Sequence, residues 1–218
     1  MKTKIVFLGS GGGGNLKFIH RYYQDDETVE LTGVFTDREC GALEYAQEVG
    51  IPSDILDFRR TPESDANLLK QIEQAEPDFV ITNVHKVLSE TVVQSFSGKL
   101  INLHYSYLPA YKGLIGMEPV HQALLRNNSF IGCTAHFADE KLDNGDTISQ
   151  GIFNSRLQPD VVQATFECGA ITLLSAIEIL RRGDEPDDQF NYKTITVSPG
   201  AKNLQPNRCA DIFKQLQS

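Results

Sequence analysis

Residues 100–109 have the sequence LINLHYSYLP, and residues 142–146 have the sequence LDNGD. The first run begins as an apolar strand and passes directly into a polar loop that ends in proline. Side chains alternate along a strand, so Asn102 and His104, two positions apart, are predicted to point to the same side. This pairs a neutral hydrogen-bond donor with a group that titrates near neutral pH. Asp143 lies in a turn-like segment that could orient the imidazole, and the three groups together could assist acyl transfer to a nucleophile.

Strand-like and helix-like patterns alternate before this run, which predicts an α/β protein with a Rossmann-like, mostly parallel sheet and helices on both faces. Predicted strands are 5–8, 29–35, 78–83 and 99–103, with a short extended piece at 51–58. The first predicted helix begins after Asn15, which can cap it. Three further helices are predicted at 42–49, 62–75 and 89–96.

Beyond residue 118 the pattern predicts a helix over 118–125, then a C-terminal hairpin of strands 130–137 and 146–154 that extends the sheet. The longest predicted helix is 159–182, followed by one strand at 192–197 and a last helix from Cys209. Without a linker-like stretch, we expect one domain over residues 1–218, with an N-terminal half of about 1–100 and a C-terminal half of about 101–218.

Composition narrows the function classes. The chain has 218 residues and a net charge of −9, which disfavours nucleic-acid partners, since phosphate binding needs clustered Lys and Arg. The apolar run before the glycines is too short for a signal peptide, and no apolar run is expected to reach the length of a membrane span. Four scattered cysteines fit reduced thiols in a cytoplasmic protein without membrane partners.

A glycine-rich loop, residues 9–14 with the sequence GSGGGG, separates the first strand from the first helix. Its glycines match the dinucleotide-binding fingerprint, with Asp37 in the position of the ribose-binding acid. Backbone amides at a helix N-terminus also make a seat for an anionic oxygen of a substrate. A tight turn alone would need glycines as well, so the sequence leaves these three interpretations open.

The pattern N-L-H-x-S-x-L-P, then Gly113, then L-D-x-G-D resembles the folate-dependent formyltransferase superfamily, and size and layout are most similar to phosphoribosylglycinamide formyltransferase. The resemblance covers about residues 4–179. It implies the formyltransferase fold and a transferase of one-carbon metabolism, as in purine biosynthesis. The formyl donor would be 10-formyltetrahydrofolate acting as a cosubstrate, the acceptor would be a small, phosphorylated primary amine, and no metal would be needed.

The same resemblance assigns roles to residues. Asn102 would donate to the oxygen of the tetrahedral intermediate, His104 would assist that oxygen or take the amine proton, and Asp143 would hold His104, with Ser106 and His136 behind them. The folate would be bound by Val84, His85, Lys86, Val87, Leu88, Asp139, Glu140 and Leu142. The acceptor anion would be bound by Gly12, Gly13, Gly14 and Asn15.

Several positions depart from the family's pattern. Tyr105 stands where the family has proline after the catalytic histidine, and Gly14 where it often has serine. The family's phosphate-supporting arginine has no clean counterpart, although Arg59 and Arg60 are near in sequence. Its acceptor-binding glutamate falls near Cys168, with Glu167 one position away. The loop 114–120 is more like that of formyltransferases acting on methionyl-tRNA or amino sugars.

The sequence therefore leaves alternatives open. One is an N-formyltransferase for an amino-sugar nucleotide; a tRNA acceptor is disfavoured by the length and acidity of the chain. Another is a formyltetrahydrofolate hydrolase, although known hydrolases carry an added N-terminal domain and the first strand here begins near residue 4. A dinucleotide- or folate-binding module and a metal site of His104, His136 and Asp143 are the remaining alternatives. A homodimer is also left open.

Overall fold

The structure, a computed structural model, describes residues 2–183 and 185–217. Its internal contacts divide the chain into two compact units. The first unit consists of the chain up to Asn102 together with Phe137–Asn144, and the second unit consists of Leu103–His136 together with the chain from Gly145 onward. The predicted α/β class with a mostly parallel sheet is confirmed.

The first unit contains a parallel sheet in the order β3-β2-β1-β4-β5. Its strands are β1 (Thr3–Gly9), β2 (Val29–Thr36), β3 (Ser53–Ile55), β4 (Phe79–Asn83) and β5 (Leu100–His104), the last of which continues into the second unit. The helices are α1 (Gly14–Tyr23), α2 (Gly41–Glu48), α3 (Pro62–Gln74) and α4 (Glu90–Ser95). The direction of strand order reverses at β1, which is where open α/β sheets bind ligands.

Strand β1 is buried on both of its faces. Val6 and Leu8 belong to a hydrophobic cluster with Leu68 of α3 and Val92 of α4. The alternate residues Ile5 and Phe7 point to the opposite face and are also buried. Strands buried on both sides require helices over both faces of a parallel sheet, as the apolar run predicted.

The second unit contains the antiparallel strands β6 (Phe130–Phe137), β7 (Thr147–Asn154), β9 (Ile195–Ser198) and β8 (Phe190–Tyr192), in that order across the sheet. Its helices are α5 (Glu118–Leu125), a 3₁₀ turn (Ser155–Leu157), α6 (Val161–Arg182) and α7 (Pro206–Gln217). The β6–β7 hairpin is as predicted. The single strand predicted at 192–197 is wrong, because the chain turns back at Lys193, whose φ is 52°.

Helix starts depart from the predictions where backbone geometry overrides side-chain chemistry. Helix α1 is preceded by Gly13 with φ 74° and no side-chain cap, so Asn15 is not the cap but lies inside the first turn. Helix α3 follows the expected chemistry, because Thr61 and Ser64 form a reciprocal capping box and Pro62 occupies the first turn. Helix α7 likewise begins at Pro206, three residues before the predicted start.

Helix α6 is long and apolar enough to cross a membrane by length and composition alone, which the sequence expectation overlooked. In the structure 78% of its most apolar window is buried inside the protein, as in the core helix of a globular fold. It ends at Gly183, whose φ of 64° is favoured by glycine after a helix. Burial on all sides explains why its apolar residues do not form one narrow stripe.

The cysteines differ sharply in accessibility, which gives a first test of the fold. Cys133, Cys168 and Cys209 are fully buried, whereas Cys40 is half-buried beside the start of α2. Burial raises the pKa of the Cys209 thiol to about 12, and burial together with the neighbouring Cys168 raises that of Cys133 well above its ordinary value. Because thiolates are the reactive form, we expect iodoacetamide to alkylate Cys40 first in the native protein. Mass spectrometry of labelled peptides checks this, and native labelling of Cys209 at a rate equal to that of Cys40 would contradict it.

Candidate active site

The carboxyl ends of four neighbouring strands of the first unit carry most of the predicted site residues. The strand order β2-β1-β4-β5 aligns, in turn, Asp37, the glycine loop, the segment 84–88 and Asn102 along one edge of the sheet. Parallel strands end at the same edge, so residues far apart in sequence are gathered there. This edge, with the segment 138–144 of the same unit, is the candidate active site.

The glycine loop lies directly against the start of α2. The Ala42 amide donates to the Gly11 carbonyl at 3.0 Å. A Cβ at Gly13 would lie 2.8 Å from the Ala42 Cα, and one at Gly41 would lie 3.1 Å from the Gly12 carbonyl oxygen. At Gly12 itself, a Cβ would have no neighbour within 4 Å. Close packing of the backbone therefore requires glycine at some of these positions, independently of any ligand.

Two alanine substitutions test how tightly this loop is packed. Gly13→Ala places a side chain in a left-handed conformation against backbone, and we expect a loss of stability of about 2 kcal/mol. Gly12→Ala meets no neighbour and serves as the matched control, with a loss below about 0.5 kcal/mol. Urea unfolding of both variants measures the difference, and equal stabilities would mean that the loop does not pack as described.

Asp37 is the site residue whose environment differs most from its sequence interpretation. Its side chain is 1% exposed and pairs with Arg38 Nη2 at 2.7 Å and Lys86 Nζ at 3.2 Å. The hydrogen bond from Arg38, together with those from Ser10 and Lys86, holds the pKa of the Asp37 carboxyl well below its usual range despite burial. A ribose-binding acid must offer its oxygens to the ligand, whereas these oxygens are already hydrogen-bonded within the protein. Lys86 is predicted from the sequence to bind folate, and the sequence gives no indication that it pairs with Asp37.

Both predicted folate-binding segments lie in the first unit. Val84 and Leu88 from one segment and Ala138 from the other pack against the same hydrophobic cluster. The Ala138 amide donates to the Leu100 carbonyl at 2.8 Å, and the Gln94 amide group donates to Glu140 at 2.5 Å. His85, Val87, Glu140 and Leu142 have exposed side chains along these segments. The structure therefore gathers two segments that are about 50 residues apart in sequence onto one core.

The turn that carries Asp143 is organised by Asp139. The Asp139 carboxylate accepts hydrogen bonds from the Lys141 amide and the Asn144 side chain, both at 3.1 Å. Asp143 has a φ of 55°, a left-handed conformation that aspartate tolerates better than most residues. Asp143 as a whole residue is 8% exposed, so this turn buries an acidic residue rather than displaying it.

Asn102 and His104 occupy the third and fifth positions of β5. Asn102 is half-buried and lies opposite Thr82 in the pairing with β4. His104, the last residue of the strand, is 5% exposed. Two-residue spacing on one strand directs both side chains to the same face, as predicted from the sequence.

Within the second unit, Ser106 and His136 are buried polar residues. The Ser106 hydroxyl donates to the Ala110 carbonyl, and the Ser106 carbonyl accepts from the Thr134 hydroxyl at 2.8 Å. Ser106 thus fixes the loop that follows β5. His136 lies at a register shift in β6, a kind of irregularity that redirects side chains near functional sites.

The residues that the sequence comparison associates with acceptor binding have different surroundings in the structure. Glu167 is held by Lys193, whose Nζ lies 2.9 Å and 3.0 Å from its two carboxylate oxygens, and Cys168 is fully buried. Arg59 pairs with Asp57 at 2.7 Å on the surface. Arg60 borders a cavity of about 470 Å³ next to the first turns of α3 and α4.

Over residues 2–183 and 185–217, no group of three or more His, Cys, Asp or Glu side chains is close enough to hold a metal ion.

Comparison with known proteins identifies the family. Residues 3–155 match the family described as Formyl transferase. The chain belongs to this family. A phosphoribosylglycinamide formyltransferase of Vigna unguiculata chloroplasts is 31% identical over 162 residues, covering 69% of this chain and 51% of the relative. A formyltetrahydrofolate deformylase from Corynebacterium is 30% identical over 154 residues, covering 69% of this chain and 53% of the relative.

The chain spans about half the length of the curated relatives it matches. The fold is shared with a glycinamide ribonucleotide transformylase from Symbiobacterium toebii, with a TM-score of 0.75 and 23% identity over 88% of this chain and 92% of that one. Asn102, His104 and Asp143 all lie within the residues that match the formyl transferase family, whereas Glu167 and its partner Lys193 lie beyond them.

Proposed function

We propose that this formyl transferase family member moves the formyl group of 10-formyltetrahydrofolate to the primary amine of a small acceptor. The observation that carries the proposal is the family match over residues 3–155, which includes an intact set of Asn102, His104 and Asp143. The placement of Asn102 at the ligand-binding edge of the first unit supports it.

In this proposal the acceptor nitrogen attacks the formyl carbon directly, without an acyl-enzyme. A C–N bond forms, and the formyl oxygen gains charge that Asn102 stabilises by hydrogen bonding, an effect worth about 10²–10³ in rate for one donor. His104 takes part in moving the amine proton, and Asp143 holds its imidazole. The bond from the formyl carbon to N10 then breaks, and N10 gains a proton as tetrahydrofolate leaves. His136 and Ser106 support these groups from behind.

We further propose that the folate is a cosubstrate bound by the segments 84–88 and 138–142, with no metal. Two kinds of side chain in these segments suit a bound folate. Val84 and Leu88 continue the apolar core, while Val87 and Leu142 offer exposed apolar surface for a planar ring. Most ligand sites combine apolar walls with few polar groups. Backbone amides and carbonyls of the same segments would supply the polar contacts.

For the acceptor, we propose a small, phosphorylated amine whose anion binds to Gly12, Gly13, Gly14 and Asn15. Support comes from the position of this loop at the N-terminus of α1, where backbone amides favour an anion. A dinucleotide is disfavoured because Arg38 and Lys86 already pair with the Asp37 carboxylate. Glu167, the acidic residue next to the position of the family's acceptor-binding glutamate, pairs with Lys193. It therefore gives no specific support for a glycinamide acceptor, and an amino-sugar nucleotide is a competing acceptor.

A second candidate is hydrolysis of 10-formyltetrahydrofolate, favoured by the similarity to the Corynebacterium deformylase. Water would then replace the amine as the nucleophile, with the same three residues in use. We also propose that residues 1–218 function as one formyltransferase domain in the cytoplasm, with small-molecule partners and neither nucleic acid nor membrane; a homodimer is left to measurement.

The test is conversion of 10-formyltetrahydrofolate to tetrahydrofolate by the purified protein, followed by absorbance. The acceptors would be glycinamide ribonucleotide, amino-sugar nucleotides, free amino acids and water alone. Turnover that requires one amine supports transfer and names the acceptor. Equal turnover in water alone replaces transfer with hydrolysis, and absence of both turnover and folate binding rejects the proposal.

A further inference from the structure

Three loops from three different strands meet at the Asp37 carboxylate. It follows β2, and it accepts hydrogen bonds from Ser10 after β1 and Lys86 after β4. The Ser10 hydroxyl also accepts a hydrogen bond from the His85 backbone amide at 3.2 Å. Asp37 and Ser10 therefore connect the glycine loop with the segment 84–88 twice, once through a side chain and once through the backbone.

The energetics of this arrangement favour a fixed geometry. A carboxylate with 1% of its side chain exposed is stable only when its oxygens are hydrogen-bonded or paired with positive charge. Arg38, the next residue in the chain, donates to both Asp37 oxygens, so the carboxylate keeps one partner whatever the loops do. Moving either loop away would remove one of the remaining partners of this buried charge, the Ser10 hydroxyl or the Lys86 ammonium group. The two loops are therefore restrained together because the same buried carboxylate binds both.

The Asp37 side chain is only 1% exposed, so any effect of its carboxylate on the reaction must pass through its neighbours. Lys86 is 38% exposed at the side-chain level and reaches the carboxylate from the folate segment. His85 and Gly11 are also close, since the His85 Cε1 lies 4.0 Å from the position of a Cβ at Gly11. The folate segment and the acceptor loop are thus neighbours at the reversal of strand order between β1 and β4.

We propose that Asp37 is a positioning residue that holds the folate-binding segment 84–88 and the acceptor-binding glycine loop at a fixed separation. The inference rests on the proposed function, because only a two-substrate reaction needs these two loops in register. Transfer between two bound molecules requires the reacting atoms within about 3–3.5 Å. If the two loops moved independently, ordering them would reduce the free energy of substrate binding.

The test compares Asp37→Asn with Asp57→Asn. Asn keeps the shape of Asp37 and can still accept from Ser10, but it removes the charge that holds Lys86. We expect the KM values for folate and acceptor to rise together by about tenfold, with kcat within about threefold of the wild type, because the reacting groups are untouched. Asp57 pairs with the exposed Arg59, so Asp57→Asn should leave both KM values unchanged. Unchanged KM values in folded Asp37→Asn would overturn the inference.

A double-mutant cycle separates positioning from general weakening. If Asp37 acts through Lys86, adding Asp37→Asn to Lys86→Met should raise the folate KM by less than about twofold further, because contacting partners are not additive. Multiplicative effects would mean that Asp37 acts by an independent route and would reject the proposal. A lower fraction of folded protein would reduce kcat at constant KM, which is the opposite pattern.

A readout without substrate distinguishes failure of this inference from failure of the proposed function. Hydrogen exchange of wild type and Asp37→Asn is compared for peptides covering residues 9–15 and 84–88. Faster exchange in both peptides, with the rest of the chain unchanged, is expected if Asp37 restrains the two loops. Unchanged exchange overturns the restraint even if the wild type is active, and faster exchange supports it even if the wild type transfers no formyl group.

Discussion

Replacing His104 by alanine should lower formyl transfer by about 10³-fold, within the range expected when a positioned acid or base is removed. His104 ends β5 with 5% of its surface exposed, so its imidazole is held by the fold rather than free to move. Without it, the departing amine proton loses its assigned acceptor, while Asn102 can still donate to the developing oxyanion. Turnover at saturating 10-formyltetrahydrofolate, with the acceptor found in the panel, is the measurement.

Two further variants accompany the test of His104→Ala. His104→Asn keeps a polar side chain of smaller size at the buried position and should be as inactive as the alanine variant while retaining more stability. His121→Ala is the matched control, because His121 is an exposed histidine of α5 that pairs only loosely with Glu118 at 3.7 Å. A folded His104→Ala protein with wild-type turnover would remove His104 from the mechanism and with it the assignment of this site.

Gly132→Ala should strongly destabilise the second unit. A Cβ at Gly132, in β6, would lie 2.4 Å from the Gly151 carbonyl oxygen of the paired strand β7 and 3.0 Å from the Tyr107 Cβ. Backbone in a strand ladder cannot rotate away as a side chain can, so the two strands must separate locally. We expect a loss of about 3 kcal/mol, since overpacking of a well-packed core usually costs about 1–3 kcal/mol and more where backbone must move.

Urea and thermal unfolding measure this loss. A change of this size should lower the melting temperature by about 6–12 °C in a chain of this length. Gly12→Ala, where the added methyl group has open space, is the control for the intrinsic effect of replacing glycine. Equal melting temperatures for Gly132→Ala and Gly12→Ala would contradict the close approach of β6 and β7.

The first unit was largely predictable because its signals are local. Short apolar runs marked β1, β2 and β4, and Pro62 with the acidic residues after it marked the start of α3. The second unit was less so. The turn between β8 and β9 contains no glycine and places Lys193 in a left-handed conformation, so no turn residue separated the two strands in the sequence.

The site shows the same division between local and distant information. The spacing of Asn102 and His104 on one strand could be derived from alternation alone. The Asp37–Lys86 and Glu167–Lys193 pairs could not, because each joins residues from elements that are far apart in the chain. The identity of a charged partner in the fold depends on strand order, and a single sequence gives no direct signal of which charges will meet.

The return of Phe137–Asn144 to the first unit has a consequence for dividing the protein. A fragment that stops at Asn102 would lack the Ala138 amide that bonds to the Leu100 carbonyl, and its hydrophobic cluster would lose the covering Ala138 side chain. Its complement would carry the Asp143 turn without the core on which that turn is built. Split reporters, fragment complementation and exchange of halves with relatives therefore need two transferred segments, because no single cut yields two complete folding units.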